Sequence, residues 1–399
     1  NNISSSIALP YIMNDFQSDV VTTQWVLTAF LIAMAAASPV AGFLGGRLGF
    51  KRLYIYSLYG FLLSSAACGL SVNIAVLNVF RAAQGVFSGL IIPATLTIIL
   101  KTIPKEKQPQ AIGYWSAASM LAPALGPVLG GFFMEYFGWE ALFFANVPVG
   151  VGAIALAALF IPDDRPEHRQ SLDVPGLVGV VVSSVSILVY FSNGNKFGWF
   201  SGTGLMWLTA AAAGTLFFIR RELSAGNPLL NLRVFRHPSF AYGTAVACLA
   251  TSLMYVGTLL IPLFLSEAAG VSPLSVALIL LPGAVMQILV SLFSGKWYHS
   301  VNPYLLLFTG VCLLVFSVWS YTGLTVTTSL AFVLWINVIR YLGNGIVYPT
   351  VTTLSMKSVP RTEAGHASSL TNWFRLLSPA LTIGIFSAVY EGRFQARIS

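Results

Sequence analysis

The sequence predicts an all-α integral membrane protein, and three observations support that fold class. First, 56% of the 399 residues are apolar and only 9% are charged, whereas ordinary soluble domains carry about 25% charged residues. Second, the apolar residues form runs that are longer than strands and long enough to cross a bilayer as helices. Third, the basic residues gather in loops on one side of these runs. Together these features exclude a water-soluble globule.

Thirteen segments are candidate spans, since about 20 mainly apolar residues are needed to cross roughly 30 Å of hydrocarbon. The first is short, and the 35 glycines and 20 prolines fit membrane helices, where small residues permit close packing. The predicted ranges are 1–12, 22–43, 53–70, 74–100, 110–134, 141–161, 174–193, 203–221, 239–265, 273–294, 303–322, 328–354 and 364–389.

The 21 lysines and arginines predict the orientation of the chain. Fifteen lie in loops on one side, and only Lys196, Arg393 and Arg397 lie on the other. By the positive-inside rule the richer side is cytoplasmic. This pattern explains the net charge of +8 without a nucleic-acid partner, because no basic face runs along any element.

An internal repeat predicts how the spans are organised. Residues 89–105 align without gaps on residues 345–361, at an offset of 256, and Gly, Pro, Thr, Lys and Pro coincide. Span four therefore corresponds to span twelve. The prediction is an N-terminal bundle over 1–161, two inserted helices over 162–238, and a C-terminal bundle over 239–399.

The symmetry also predicts missing segments. The C-terminal bundle has five spans instead of six, and the first span has only about twelve residues, about 18 Å of helix. We therefore expect a protein of fourteen spans, of which this sequence lacks the start of the first and all of the last.

The loop after span two resembles the major facilitator signature G-x-L-a-D-r-x-G-r-k. Its glycines allow a tight turn, and its basic residues can bind helix ends or carboxylates at the cytoplasmic surface. Gly46 stands where the signature has Asp. The alternative is a basic loop that only orients the chain. The residues of this cytoplasmic gating loop are Gly42, Gly46, Arg47, Gly49, Lys51 and Arg52.

Span five resembles the antiporter motif G-x8-G-x3-G-P-x2-G-G of major facilitator exporters, with Ala122 replacing one glycine. Small residues at this spacing form a smooth helix face, and proline bends the helix. Ordinary small-residue packing is the alternative. The matching residues are Gly113, Gly126, Pro127, Gly130 and Gly131.

Three further stretches, 137–150, 227–235 and 365–372, are similar to fourteen-span drug:proton antiporters of the EmrB type, as is 81–85 in span four. The resemblance covers essentially the whole chain. It implies a major facilitator fold and a non-enzymatic exporter of lipophilic drugs or toxic amphiphiles, driven by the proton gradient without a cofactor. It further implies a multi-pass protein of the bacterial inner membrane and allows a periplasmic adaptor as partner. The alternatives are export of a lipid, siderophore or other metabolite, and a transport-inactive scaffold or sensor.

Proton coupling is the feature that the sequence explains least. Asn1 lies where the family places a protonatable Asp, and none of the thirteen acidic residues falls in mid-membrane. Arg81, Arg340 and Arg375 do lie within spans, where a charge costs several kcal/mol unless it faces the bundle interior or water. The candidates for proton coupling or translocation are Asn1, Arg81, Gln84, Arg340 and Arg375. The alternative for the arginines is a structural role, in which they bind helix-end carbonyls and polar neighbours.

Polar and aromatic residues of the spans expected to face the centre are candidates for a substrate cavity, with bundle packing as the alternative. They are Ser5, Met120, Tyr255, Gln287, Asn344, Tyr348, Asn372 and Trp373. With three arginines and no acid in mid-membrane, the cavity is predicted to favour anionic or zwitterionic substrates. The three cysteines lie singly in apolar runs, and no metal site is predicted.

Overall fold

In a computed structural model, residues 2–164, 173–224, 226, 228–265, 269–271, 273–325 and 327–398 are described. They form helices joined by short loops, and no strand occurs among these residues. The helices are α1 (Asn2–Asp15), α2 (Val20–Ala37), α3 (Val40–Leu48), α4 (Phe50–Gly69), α5 (Ile74–Thr102), α6 (Gln108–Tyr136), α7 (Ala141–Phe144), α8 (Asn146–Phe160), α9 (Val174–Phe197), α10 (Gly202–Ser224), α11 (Pro238–Leu263), α12 (Pro273–Ser300), α13 (Pro303–Ser320), α14 (Leu330–Lys357) and α15 (Ala364–Ile398).

Each predicted span coincides with one helix or one broken pair of helices. Among the described residues, eight helices are long and apolar enough to cross a membrane, or nine if the bent pair α2 and α3 is one span. Large apolar side chains such as Leu63, Leu159 and Trp335 are exposed on the helix surfaces, as lipid contact requires. The prediction of an all-helical membrane fold is confirmed.

Span two is broken, which the run of apolar residues did not indicate. The helical segments 22–37 and 40–48 meet at an angle of 57°. Pro39 precedes α3, and proline lacks the N–H that would continue the helical hydrogen bonding. The break turns α3, which carries Gly42, Gly46 and Arg47 of the signature, away from the direction of α2. The signature is therefore not a loop: only Gly49 lies between α3 and α4.

The chain forms two compact units. Unit 1 comprises Asn1–Thr102, Gly126–Val234 and Pro360–Leu377, and unit 2 comprises Ile103–Leu125, Phe235–Val359 and Ser378–Ser399. The division into bundles at 161/162 and 238/239 stays a prediction.

The core of unit 1 forms where α5 packs against its neighbours. Val26, Leu77 and Phe143 are buried in one apolar cluster of this unit. α2 and α5 approach so closely that a Cβ atom on Gly85 would collide with the backbone carbonyl of Phe30. Only glycine permits that approach, and it fixes the position of α5 and of the polar residues that α5 carries.

The core of unit 2 forms around α14 in the same way. Leu314, Val347 and Val351 are buried together with alanines of α11. These contacts place α14 between α11 and α13, so that polar side chains on α14 are removed from lipid. Arg340 and Asn337 are among those buried side chains.

Candidate functional site

Arg81 of α5 is completely buried in unit 1. Its Nε donates to the carbonyl oxygen of Val26 on α2 at 2.8 Å, and Nη1 donates to Oε1 of Gln84 at 2.7 Å. The guanidinium carbon lies 4.3 Å from the ring centroid of Phe30. Such a cation–π contact further stabilises a desolvated guanidinium.

Arg340 of α14 is completely buried in unit 2. Nη1 donates to the carbonyl oxygen of Met254 on α11 at 2.8 Å, and Nη2 donates to Oδ1 of Asn337 at 2.8 Å. The guanidinium carbon lies 4.8 Å from the ring centroid of Tyr341. Gly257 leaves the space that the guanidinium fills, because a Cβ there would collide with Nη1.

The two arginines use the same pair of repeat positions with the residue types exchanged. At the offset of 256 found in the sequence, Arg81 aligns with Asn337 and Gln84 aligns with Arg340. Each helix therefore carries an arginine bound to an amide three residues away. Both amide nitrogens, Nε2 of Gln84 and Nδ2 of Asn337, are buried and have no acceptor among the described residues.

These groups can hold charge and donate hydrogen bonds, but arginine does not release its proton in proteins. Arg81 and Arg340 therefore supply fixed positive charge. The two amide nitrogens supply donors, and an unpaired buried donor costs about 1–3 kcal/mol until an acceptor reaches it. The arrangement suits recognition of an acceptor-bearing group more than proton relay.

Helices α6, α12 and α14 pack against one another within unit 2. The rings of Trp115 on α6 and Tyr348 on α14 lie 6.0 Å apart. Gln287 of α12 and Asn344 of α14 are buried, and Nε2 of Gln287 has no acceptor among the described residues. The carbonyl oxygen of Gln287 lies 3.0 Å from the Cβ position of Gly345, so α12 and α14 touch here.

The first glycine of the antiporter motif joins α6 to this cluster. A Cβ on Gly113 would lie 2.8 Å from the carbonyl oxygen of Ser291 on α12. The small residue therefore lets the two backbones pack closely. Gly126 and Gly130 are buried further along α6, where Pro127 and Gly131 also lie within the helix.

Three predicted residues lie together on α15 in unit 1. Nδ2 of Asn372 donates to Oγ of Ser38 at 2.8 Å, beside the break between α2 and α3. Nε1 of Trp373 donates to Oγ of Ser184 on α9 at 2.7 Å. Arg375 is largely buried on the same helix. In unit 1, Trp373 is thus a packing contact to the inserted helices.

The signature is held by two acidic residues that sequence reasoning missed. Gly49 adopts φ +89° between α3 and α4, a conformation that favours glycine. The carboxylate of Asp164 accepts hydrogen bonds from the backbone N–H groups of Phe50 and Lys51, capping α4. Nζ of Lys51 lies 3.0 Å from Oδ1 of Asp163. The sequence signal that could have found them is the pair Asp163–Asp164, which directly follows span six on the predicted cytoplasmic side, as the signature does.

Three other residues of the signature line a cavity of about 320 Å³ in unit 1. Gly42 and Gly46 of α3 contribute to its wall, together with Arg47. Gly42 is packed tightly, since a Cβ there would lie 2.8 Å from the carbonyl oxygen of Gly365. Arg52 is exposed and does not line the cavity.

A second missed set of charges joins the inserted helices α9 and α10. Nε of Arg221 donates to both carboxylate oxygens of Asp173, at 3.0 and 3.1 Å. Glu222 is buried, and its Oε2 accepts from the backbone N–H of Leu230 at 3.0 Å. Its Oε1 has no donor among the described residues. The sequence placed these acids in a cytoplasmic loop, although the carboxylates are buried at the helix ends.

The remaining predicted residues are not part of these clusters. Asn1 lies outside the described residues, and Ser5 lies in α1. Met120 is half-buried on α6, and Tyr255 of α11 is about half exposed. No group of three or more His, Cys, Asp or Glu side chains suited to a metal ion occurs in the part of the chain that the structure describes.

Comparison with known proteins decides the family. The model of the Major Facilitator Superfamily matches residues 1–383. The chain belongs to the Major Facilitator Superfamily. It is 29% identical to the multidrug export protein EmrB of Escherichia coli (strain K12), over 98% of this chain and 77% of that protein. It is 32% identical to the tetracenomycin C resistance and export protein of Streptomyces glaucescens, over 92% of this chain and 68% of that protein.

The fold of this superfamily member is also found among solved structures. The proton:xylose symporter XylE matches with a TM-score of 0.68 at 11% sequence identity, over 98% of this chain and 86% of XylE. At that identity the likeness concerns the fold alone. The predicted family and the predicted multi-pass membrane architecture are confirmed, while the roles of the individual residues stay predictions.

Proposed function

We propose that this protein exports lipophilic drugs or toxic amphiphiles by alternating access, in exchange for protons. The observation that carries the proposal is the match over nearly the whole chain to relatives named as export and resistance proteins. By analogy with the resemblance drawn from the sequence, it acts in the inner membrane of a bacterium, and a periplasmic adaptor is a candidate partner.

The convergence of α6, α12 and α14 supports a substrate-binding role for unit 2. Trp115 and Tyr348 supply aromatic surface, and Gln287 supplies a buried donor without an acceptor. Sites for lipophilic ligands combine apolar and aromatic walls with a few polar groups that fix orientation. A carbonyl or carboxylate of the substrate would satisfy Nε2 of Gln287. Met120 and Tyr255 are candidates for further substrate contacts in unit 2.

The buried arginines support a bias toward anionic or zwitterionic substrates. Arg81 donates to neutral oxygens of Val26 and Gln84, and Arg340 donates to neutral oxygens of Met254, Asn337 and Thr258. An anionic group is attracted to such a guanidinium, whereas a cationic group is repelled. Competition of transport by cationic dyes, with none by anionic lipophiles, would overturn this bias.

An exporter of an anionic lipid or metabolite is the second candidate, and the same fully buried arginines favour it. The two candidates differ in phenotype. A drug exporter raises resistance when expressed, whereas a metabolite exporter changes lipid or metabolite content when deleted.

The direct test is accumulation of fluorescent lipophilic dyes, one anionic and one cationic, in bacteria that lack their own exporters. Cells expressing the protein are expected to hold several-fold less dye than empty-vector cells. Arg340→Gln should abolish this difference at equal protein level in the membrane. Arg361→Gln, the same change at an exposed arginine, should retain it. No difference between expressing and empty cells for either dye, with no gain of resistance, would favour a transport-inactive scaffold.

A further inference from the structure

The cavity beside the signature has a composition that the export function does not explain. It is lined by α3, by Gly226 and residues of 228–233, and by residues of 362–366 at the start of α15, all within unit 1. Among the residues that line it are Arg47, Asn231, Arg233, Glu363 and His366. Its volume of about 320 Å³ is large enough for a small organic molecule or head group.

The charge of the cavity wall is positive and only partly compensated. Neither Arg47 nor Arg233 forms an ion pair within the described residues. Glu363, the one carboxylate among the described lining residues, accepts a hydrogen bond from Nδ2 of Asn231 at 3.3 Å. Among these residues, two arginines against one carboxylate give a net charge of about +1 with His366 neutral.

The cavity is open beside Gly46, where α3 carries no side chain. A Cβ on Gly46 would meet no atom within 4 Å. Any other residue type would direct a side chain into this opening. Gly46 therefore keeps open a position that is flanked by Arg47 on the same helix and by the basic segment around Arg233.

We propose that this cavity binds a phosphate group, carried by a free phosphate or phosphate ester or by the head group of an anionic lipid. Arginine forks match the oxygens of a phosphate with paired, charge-assisted hydrogen bonds. Gly365 and His366, in the first turn of α15, also line the cavity, and the start of a long helix favours an anion. The opening at Gly46 admits the group. This site is separate from the substrate site proposed in unit 2. Its test measures binding and does not require transport.

Binding is measured with the purified full-length chain in non-ionic detergent. The unfolding temperature is recorded as inorganic phosphate is titrated against chloride at equal ionic strength. In parallel, the chain is placed in nanodiscs of phosphatidylcholine alone or with phosphatidylglycerol. A saturable rise of the unfolding temperature with phosphate indicates a free anion. A rise only with phosphatidylglycerol indicates a lipid head group.

Substitutions of the lining residues test whether the anion binds in this cavity. Arg47→Gln combined with Arg233→Gln should raise the apparent Kd of the responding anion at least tenfold. Arg236→Gln, an exposed arginine that does not line the cavity, should leave it unchanged. Gly46→Ala should retain binding because the added methyl enters open space, and Gly46→Asp should abolish it because it adds a carboxylate there. The proposal is overturned if neither phosphate nor phosphatidylglycerol raises the unfolding temperature, or if Arg236→Gln weakens the response as much as the double variant.

Discussion

Asn337 accepts a hydrogen bond from Arg340 at 2.8 Å, one turn further along α14. In α5 the same bond joins Arg81 to Gln84, with the arginine at the aligned position of the asparagine. Both repeats thus bury one positive charge against one amide. The bond is kept although the two residue types are exchanged between the repeats. The common feature is therefore the buried positive charge, and not the position of the arginine.

Asn337→Asp tests the effect of the buried positive charge on transport separately from the stability of the fold. The new carboxylate would pair with Arg340, so the fold should be as stable as before, while the net positive charge is lost. Export of anionic dyes should therefore fall at least tenfold. Asn337→Ala should instead destabilise the protein by about 1.5–3 kcal/mol, because it removes a hydrogen bond to a charged group. Dye efflux and unfolding in detergent measure the two effects, and equal stability losses in both variants would contradict this account.

Gly257→Ala tests the space that Arg340 occupies. The added methyl would displace the guanidinium from the carbonyl oxygen of Met254. We expect a loss of about 1–3 kcal/mol in unfolding free energy together with reduced efflux. Gly152→Ala in α8 is the matched control, since a Cβ there meets no atom within 4 Å. It should be neutral or stabilising by up to about 1 kcal/mol, the helix preference for alanine.

Asp164→Ala should destabilise α4 by about 0.5–2 kcal/mol, the usual effect of removing an N-terminal cap. The neighbouring Asp163→Ala should change stability by less than about 1 kcal/mol, because its ion pair with Lys51 is exposed on the Asp163 side. Thermal unfolding of the two variants measures the contrast. A larger loss for Asp163→Ala would show that the ion pair, and not the cap, holds the start of α4.

Glu222→Gln is expected to stabilise the protein by about 1 kcal/mol. The amide oxygen can still accept from the backbone N–H of Leu230, and the buried negative charge is removed. Oε1 of Glu222 and Oδ2 of Asp173 both lie within 3 Å of the Cβ position of Gly176, so the substitution also removes repulsion between two neighbouring carboxylates. Glu222→Ala should destabilise by about 1–3 kcal/mol, because it leaves a buried N–H unpaired. A stability loss in Glu222→Gln equal to that in Glu222→Ala would contradict this assignment.

Hydropathy and the repeat are sufficient to predict the helices and the alignment of Arg81 with Asn337 and of Gln84 with Arg340, because both depend on local or periodic patterns. The break before α3 was missed because apolar composition continues across Pro39. Asp164 caps α4 from a sequence distance of 114 residues, and Trp373 bonds Ser184 from 189 residues. Such long-range contacts depend on tertiary packing, and a single sequence carries no local pattern for them.

The central claim is proton-coupled export, and transport by purified protein in liposomes tests it most directly. Vesicles with an acidic lumen are given an anionic lipophilic dye whose charge does not change with pH. Dye uptake and lumenal pH are recorded together. Proton-coupled export should give dye uptake together with a rise of lumenal pH. Both should be absent without the pH gradient and with Arg340→Gln. Uptake that is equal with and without the gradient, or a lumenal pH that does not respond to substrate, would contradict this claim.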